Sequence, residues 1–160
     1  MSPIARIFAA AAAMAAIATA GVAVAQNYSL NPTYGTVNLA AGFTPDPYVV
    51  NVSSGGSVNA QSLSASCRGF IANAPDVRLN YTQGNMSRLI VSVNSAADTT
   101  LVINGPDGSW YCDDDSGNAG LNPSVTFSPP RGGQYDIWVG TYGNASNQAA
   151  QVHISELYTQ

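Results

Sequence analysis

The chain has 160 residues, of which 46% are hydrophobic and only 9% charged, with a formal net charge of −4 and no lysine. Soluble domains usually carry roughly 25% charged residues, so this surface must be polar but largely neutral. Beyond Arg6 the cations are Arg68, Arg78, Arg88 and Arg131, set against 9 carboxylates; with no basic footprint for phosphates, nucleic acid and anionic membrane surfaces are excluded as partners. A coiled coil and a charged disordered tail are excluded as well, which leaves a binding module, a structural subunit and a hydrolase open.

Residues 1–25 carry a single cation, Arg6, then an alanine-rich apolar run from Ile7 to Val24, and close on Ala23-Val24-Ala25 before Gln26. A short apolar run ending in small residues reads as a secretory signal peptide, the alternative being a permanent anchor. Export predicts a secreted, periplasmic or cell-surface protein that has no membrane segment after cleavage. Residues 26–33 read as a flexible arm and 34–160 as one domain. An oxidising compartment favours one disulfide between the two cysteines, Cys67 and Cys112, over two buried thiols. In the loop-entropy account such a bridge contributes about 4 kcal/mol. Two cysteines and one histidine are too few for a closed zinc site, and no Cys-x-x-Cys pair suggests redox chemistry.

From residue 34 onward, short apolar alternations are cut by Gly, Pro, Asn and Asp, with no sustained 3.6-residue period, so helix should be scarce. Strands are expected at Thr36–Leu39, Tyr48–Val52, Gly69–Ala72, Val77–Tyr81 and Leu89–Val93, and further on at Thr99–Asn104, Ser124–Phe127, Tyr135–Gly140 and Gln151–Ser155. Leu89, Val91 and Val93 share one face of their strand, as do Tyr135, Ile137 and Val139, and these faces should point inward. About nine such strands predict an all-β fold, an antiparallel, jelly-roll-like β-sandwich in which two half-apolar sheets bury each other. Ser53 to Ser66 is small and polar enough to resemble a linker, although too short to separate domains.

The sharpest local feature is Cys112-Asp113-Asp114-Asp115-Ser116-Gly117-Asn118, a turn of adjacent carboxylates that repel one another unless solvated or neutralised. Oxygen donors at this density suit Ca2+, which takes six to eight of them. Asp113, Asp115 and Gly117 imitate the start of an EF-hand loop, but its twelfth position is Ser124 where a bidentate Glu is required, so an EF-hand is rejected. A solvated turn without an ion is the alternative.

Several motifs occur in order: Asp98-Thr99-Thr100-Leu101-Val102-Ile103, Pro106-Asp107-Gly108-Ser109-Trp110, the acidic turn, Asn122-Pro123-Ser124, and Gly133-Gln134-Tyr135-Asp136-Ile137-Trp138-Val139-Gly140-Thr141-Tyr142. Over residues 86–157 this order resembles the bacterial pre-peptidase C-terminal domain. The resemblance implies a β-sandwich that is generally an accessory of secreted proteases without catalytic residues, and in some members a calcium site in the acidic cluster. It places Asp98, Asp114 and Asp115 on the acidic positions, with Asp113 and Asn122 as further candidate ligands.

Hydrolase chemistry finds little support. No Gly-x-Ser-x-Gly elbow and no His-Glu-x-x-His occur, and the single histidine, His153, should lie on the solvated face of its strand, opposite Val152 and Ile154. Trp110, Trp138 and Tyr142 are the candidate ligand-binding rings, since exposed aromatics beside polar groups stack on sugars or anchor protein interfaces. Trp138 is out of phase with Ile137 and Val139, so it either faces outward or covers the sheet's second surface. The expected function is a secreted, non-catalytic, calcium-binding module for an extracellular protein or polysaccharide. The alternatives are a self-assembling surface or filament subunit, hence a homo-oligomer, and a secreted peptidase or other hydrolase.

Overall fold

Alternating apolar residues fold into two facing sheets in the computed structural model, which describes residues 26–118, 120–144 and 146–160. The leader read over residues 1–25 lies outside them. The strands are β1 (Thr36–Ala40), β2 (Tyr48–Ser54), β3 (Val58–Asn59), β4 (Phe70–Ile71), β5 (Val77–Thr82), β6 (Leu89–Ser95), β7 (Thr99–Asn104), β8 (Trp110–Asp113), β9 (Ser124–Phe127), β10 (Gly133–Thr141) and β11 (Gln148–Ser155). Helix among the described residues is confined to one 3-10 turn, Ala60–Ser62. No helix there is long and apolar enough to cross a membrane.

All nine expected strands form, and two more appear. The additions, β3 and β8, span two and four residues, too few to show a period of their own. The smaller sheet runs β2-β11-β6-β9, antiparallel throughout. The larger is built on β10, which pairs with β5 on one side and β7 on the other; β1 extends it beyond β5, β8 beyond β7, and β3-β4 attach at Thr141. One pair departs from the antiparallel expectation, because β1 runs parallel to β5 with Thr36 opposite Arg78.

The core lies between the sheets. Leu89, Val91 and Val93 meet Tyr135, Ile137 and Val139 there, together with Leu101, Ile103, Val152 and Ile154, as their alternation requires. Each such side chain, fully buried, stabilises the fold by roughly 1.5–3 kcal/mol.

The larger sheet is covered on its second face too, and this decides the fate of Trp138. Residues 55–72, which take in most of the linker-like stretch from Ser53 to Ser66, fold back over that face. Ala60, Cys67 and Ile71 bury Val102 and Trp138 in a second apolar cluster, and Trp138 is 0% exposed. The Cys67–Cys112 disulfide, with Cα atoms 5.0 Å apart, pins this layer to β8. Gly140 lets the layer sit flat, because a Cβ there would stand 2.3 Å from Thr100 Oγ1 and 3.0 Å from Ile71 Cγ2.

Where β5 ends and β4 has not yet begun, the backbone of β10 at Val139 needs other partners. The Asp76 carboxylate accepts the Val139 N–H at 2.7 Å and the Gly55 N–H donates to the Val139 carbonyl at 2.9 Å. A buried side chain thus stands in for a missing strand.

Residues 26–33, expected as a flexible arm, lie against the larger sheet instead. Gln26 is buried, its amide donating to the Ala72 and Asn73 carbonyls, and Arg78 Nη2 donates to the carbonyls of Tyr28 and Leu30 at 2.5 and 3.0 Å. At the other end β11 stops at Ser155, and the tail 156–160 crosses the outer face of the smaller sheet, with Gln160 N–H donating to Ser92 Oγ and Thr159 Oγ1 to Ser124 Oγ.

Candidate functional site

The β7-β8 pairing assembles the acidic end of the molecule. Leu101 lies opposite Asp113, so Asp98, just ahead of β7, and Asp114 and Asp115, just beyond β8, emerge at the same end of the sheet. Asp98 Oδ1 is buried there with no hydrogen-bond partner. Its carboxyl is raised above the ordinary range, first by loss of solvent and then by the negative charges of Asp115 and Asp114. Asp98 therefore lies within reach of the charges of Asp114 and Asp115.

The other two candidate ligands are occupied elsewhere. Asp113 organises the turn, one oxygen accepting the N–H groups of Ser116 and Ser124, each at 2.9 Å, and the other the Ser116 hydroxyl at 2.7 Å. Asn122, buried, accepts from Thr99 Oγ1 at 2.7 Å and donates to the Ser95 carbonyl at 2.9 Å. The turn is also tied to the C-terminus, since Asn118 N–H donates to the Gln160 carbonyl at 2.6 Å and its side-chain amide to that of Thr159. The Ser116 contacts are local, three residues from Asp113, whereas the Ser124 contact and the C-terminal anchor carry no local sequence signature, because they join segments separated in the chain. Among the described residues, no three His, Cys, Asp or Glu side chains already converge as a metal-holding group.

Backbone hydrogen bonds place two exposed apolar residues beside Asp98. Its carbonyl accepts the Tyr142 N–H and the neighbouring Thr99 N–H donates to the Leu121 carbonyl, while Tyr142 and Leu121 are 45% and 57% exposed. Tyr142 is thus an open ring at the acidic end. Trp138 offers no surface to any ligand. Trp110, half-buried, packs against it with ring centroids 5.5 Å apart and planes tilted by 47°.

His153 is buried, contrary to the solvated position expected from its strand phase. The phase is right, since its ring lies on the outer face, but the returning C-terminal tail crosses that face. Its Nδ1 has no hydrogen-bond partner, and Nε2 meets only the Gln151 amide oxygen, at 3.4 Å. Burial lowers its basicity. Its register neighbour Ser92 accepts the Gln160 N–H, and among the described residues no serine and no carboxylate is hydrogen-bonded to the ring. Glu156 is buried too, accepting from Tyr81 Oη at 2.6 Å and the Gly42 N–H at 2.7 Å.

No family model and no curated protein matches the chain. Among solved structures it is similar to the crystal structure of Aeromonas hydrophila PliG, a periplasmic lysozyme inhibitor of g-type lysozyme. The TM-score is 0.39 and the identity 10%, over 75% of this chain and 96% of that one. At this level the likeness carries no function across.

Proposed function

We propose that this chain is an extracellular, non-catalytic binding module of the pre-peptidase C-terminal type, steadied by a calcium ion between Asp98, Asp114 and Asp115. The observation that carries the calcium reading is the buried, unpartnered Asp98 Oδ1 beside two further carboxylates. Such an oxygen is costly unless a donor or cation meets it. The donors are all oxygen, the chemistry a hard cation selects, and Asp113 already holds the turn in shape. The ion would neutralise repelling charges and lock the β8-β9 loop. Export is supported by the leader-like residues 1–25 and by the disulfide. The non-catalytic reading is supported by the isolation of His153.

Thermal melting of the full chain in calcium and in excess chelator tests this. At a free ion concentration a hundred times Kd, mass action adds about 2.7 kcal/mol, so the melt should rise by several degrees, and Asp98→Asn should abolish the rise. An identical melt in calcium and chelator would overturn the calcium reading.

A further inference from the structure

A cleft of about 390 Å³ opens on the outer face of the larger sheet, away from the acidic turn. The N-terminal arm forms one side and β8 the other, so Tyr28 and Trp110 both line it. Trp110 is a rigid wall, because its ring rests on the fully buried Trp138 and its neighbour but one in sequence, Cys112, is held by the disulfide. Tyr28 is 53% exposed, and the arm carrying it is fastened by Arg78. Between the rings the lining is mostly glycine backbone and the polar side chains of Asn104, Gln134 and Asp136.

The charges at this cleft cancel. Asp136 is buried, one oxygen accepting from Arg78 Nε at 2.7 Å and the other from Gln134 Nε2 at 2.7 Å. Arg78 is consumed in turn by that carboxylate and by the carbonyls of Tyr28 and Leu30. Among the described residues that line the cleft, none presents an unpaired cation to a phosphate, sulfate or uronate, or an unpaired carboxylate to a basic side chain. Because Gln134 gives its N–H to Asp136, its amide oxygen is presented as an acceptor with a fixed direction. Flat aromatic walls with oriented amides and no net charge match a pyranose ring, which has an apolar C–H face and a rim of hydroxyls. A proline-rich peptide would need apolar slots between the rings, where this cleft has one proline, Pro106, among glycines and polar side chains.

We infer that this cleft binds a neutral oligosaccharide, stacked on Trp110 and Tyr28 and hydrogen-bonded by Gln134 and Asn104. The inference rests on the binding-module reading and names its ligand class. The experiment titrates the full chain with cellohexaose, chitohexaose and maltohexaose, with a proline-rich decapeptide alongside, following tryptophan emission and acrylamide quenching. Saturable binding of at least one saccharide is expected, with Trp110 protected from quencher. Trp110→Ala and Tyr28→Ala should each weaken binding about ten-fold or more, the loss of one stacking face. Tyr28 makes no core contact, so its variant keeps the test open if Trp110→Ala fails to fold. Binding of no saccharide, or binding unchanged in a folded Tyr28→Ala and Trp110→Ala pair, would overturn the inference. Peptide binding alone would overturn the saccharide and leave the binding module standing. Release of new reducing ends would keep the saccharide site and overturn the non-catalytic reading.

Discussion

Asp76 shows what one buried carboxylate does to the pH dependence of a fold. Burial pushes its carboxyl up from 3.8 to about 7, with the Val139 N–H only partly offsetting the lost water. Between those values the folded chain keeps a proton that the unfolded chain releases, so stability falls as pH rises from about 4 to 7. The effect is on the order of a few kcal/mol. His153 pulls the other way: burial lowers its imidazole, so its contribution is present above 6.5 and is lost as pH falls through the folded-state value. Urea denaturation of a His153→Gln, Asp98→Asn variant from pH 4 to 7 should isolate the Asp76 slope, and adding Asp76→Asn should flatten it. A slope of equal size in both variants would show that another group carries the proton.

At the scale of elements, the layer formed by residues 55–72 makes the larger sheet differ from the smaller. A sheet buried on both faces needs apolar residues in both phases, and β10 supplies them, Ile137 and Val139 inward and Trp138 outward. The layer has little regular structure, so the disulfide and the close approach at Gly140 hold it down. Replacing both cysteines, Cys67→Ser with Cys112→Ser, should cost about 2–4 kcal/mol in denaturant titrations. It should also shift tryptophan emission to the red as Trp138 meets water. Loss of stability without the red shift would mean that the layer stays docked unaided.

For the whole molecule, few charges and a net −4 leave the sheet edges to govern association. One edge is blunted, because the Ser53 N–H of β2 donates to Tyr34 Oη at 2.9 Å. A binding module should elute from size-exclusion chromatography at the same volume at low and high concentration. A shift to larger species with concentration would favour the self-assembling subunit.

Much of this was legible in the residues themselves. A period of two and frequent turn residues are local properties, so nine strands, the inward faces of β6 and β10 and the odd phase of Trp138 could be read directly. The cysteine pair followed from the leader-like sequence of residues 1–25 and from there being two cysteines. Tertiary structure alone decided what covers each face and which carboxylates meet. His153 is buried by a tail that turns back from the end of its own strand across β6, and Trp110 gains Tyr28 as a neighbour through an arm that sequence reads as loose. The parallel pairing of β1 with β5 and the meeting of Asp98 with Asp114 and Asp115 likewise depend on contacts between residues far apart in the chain. Local pattern sets which way a side chain points from its strand, but whether water or protein meets it there is set by long-range packing.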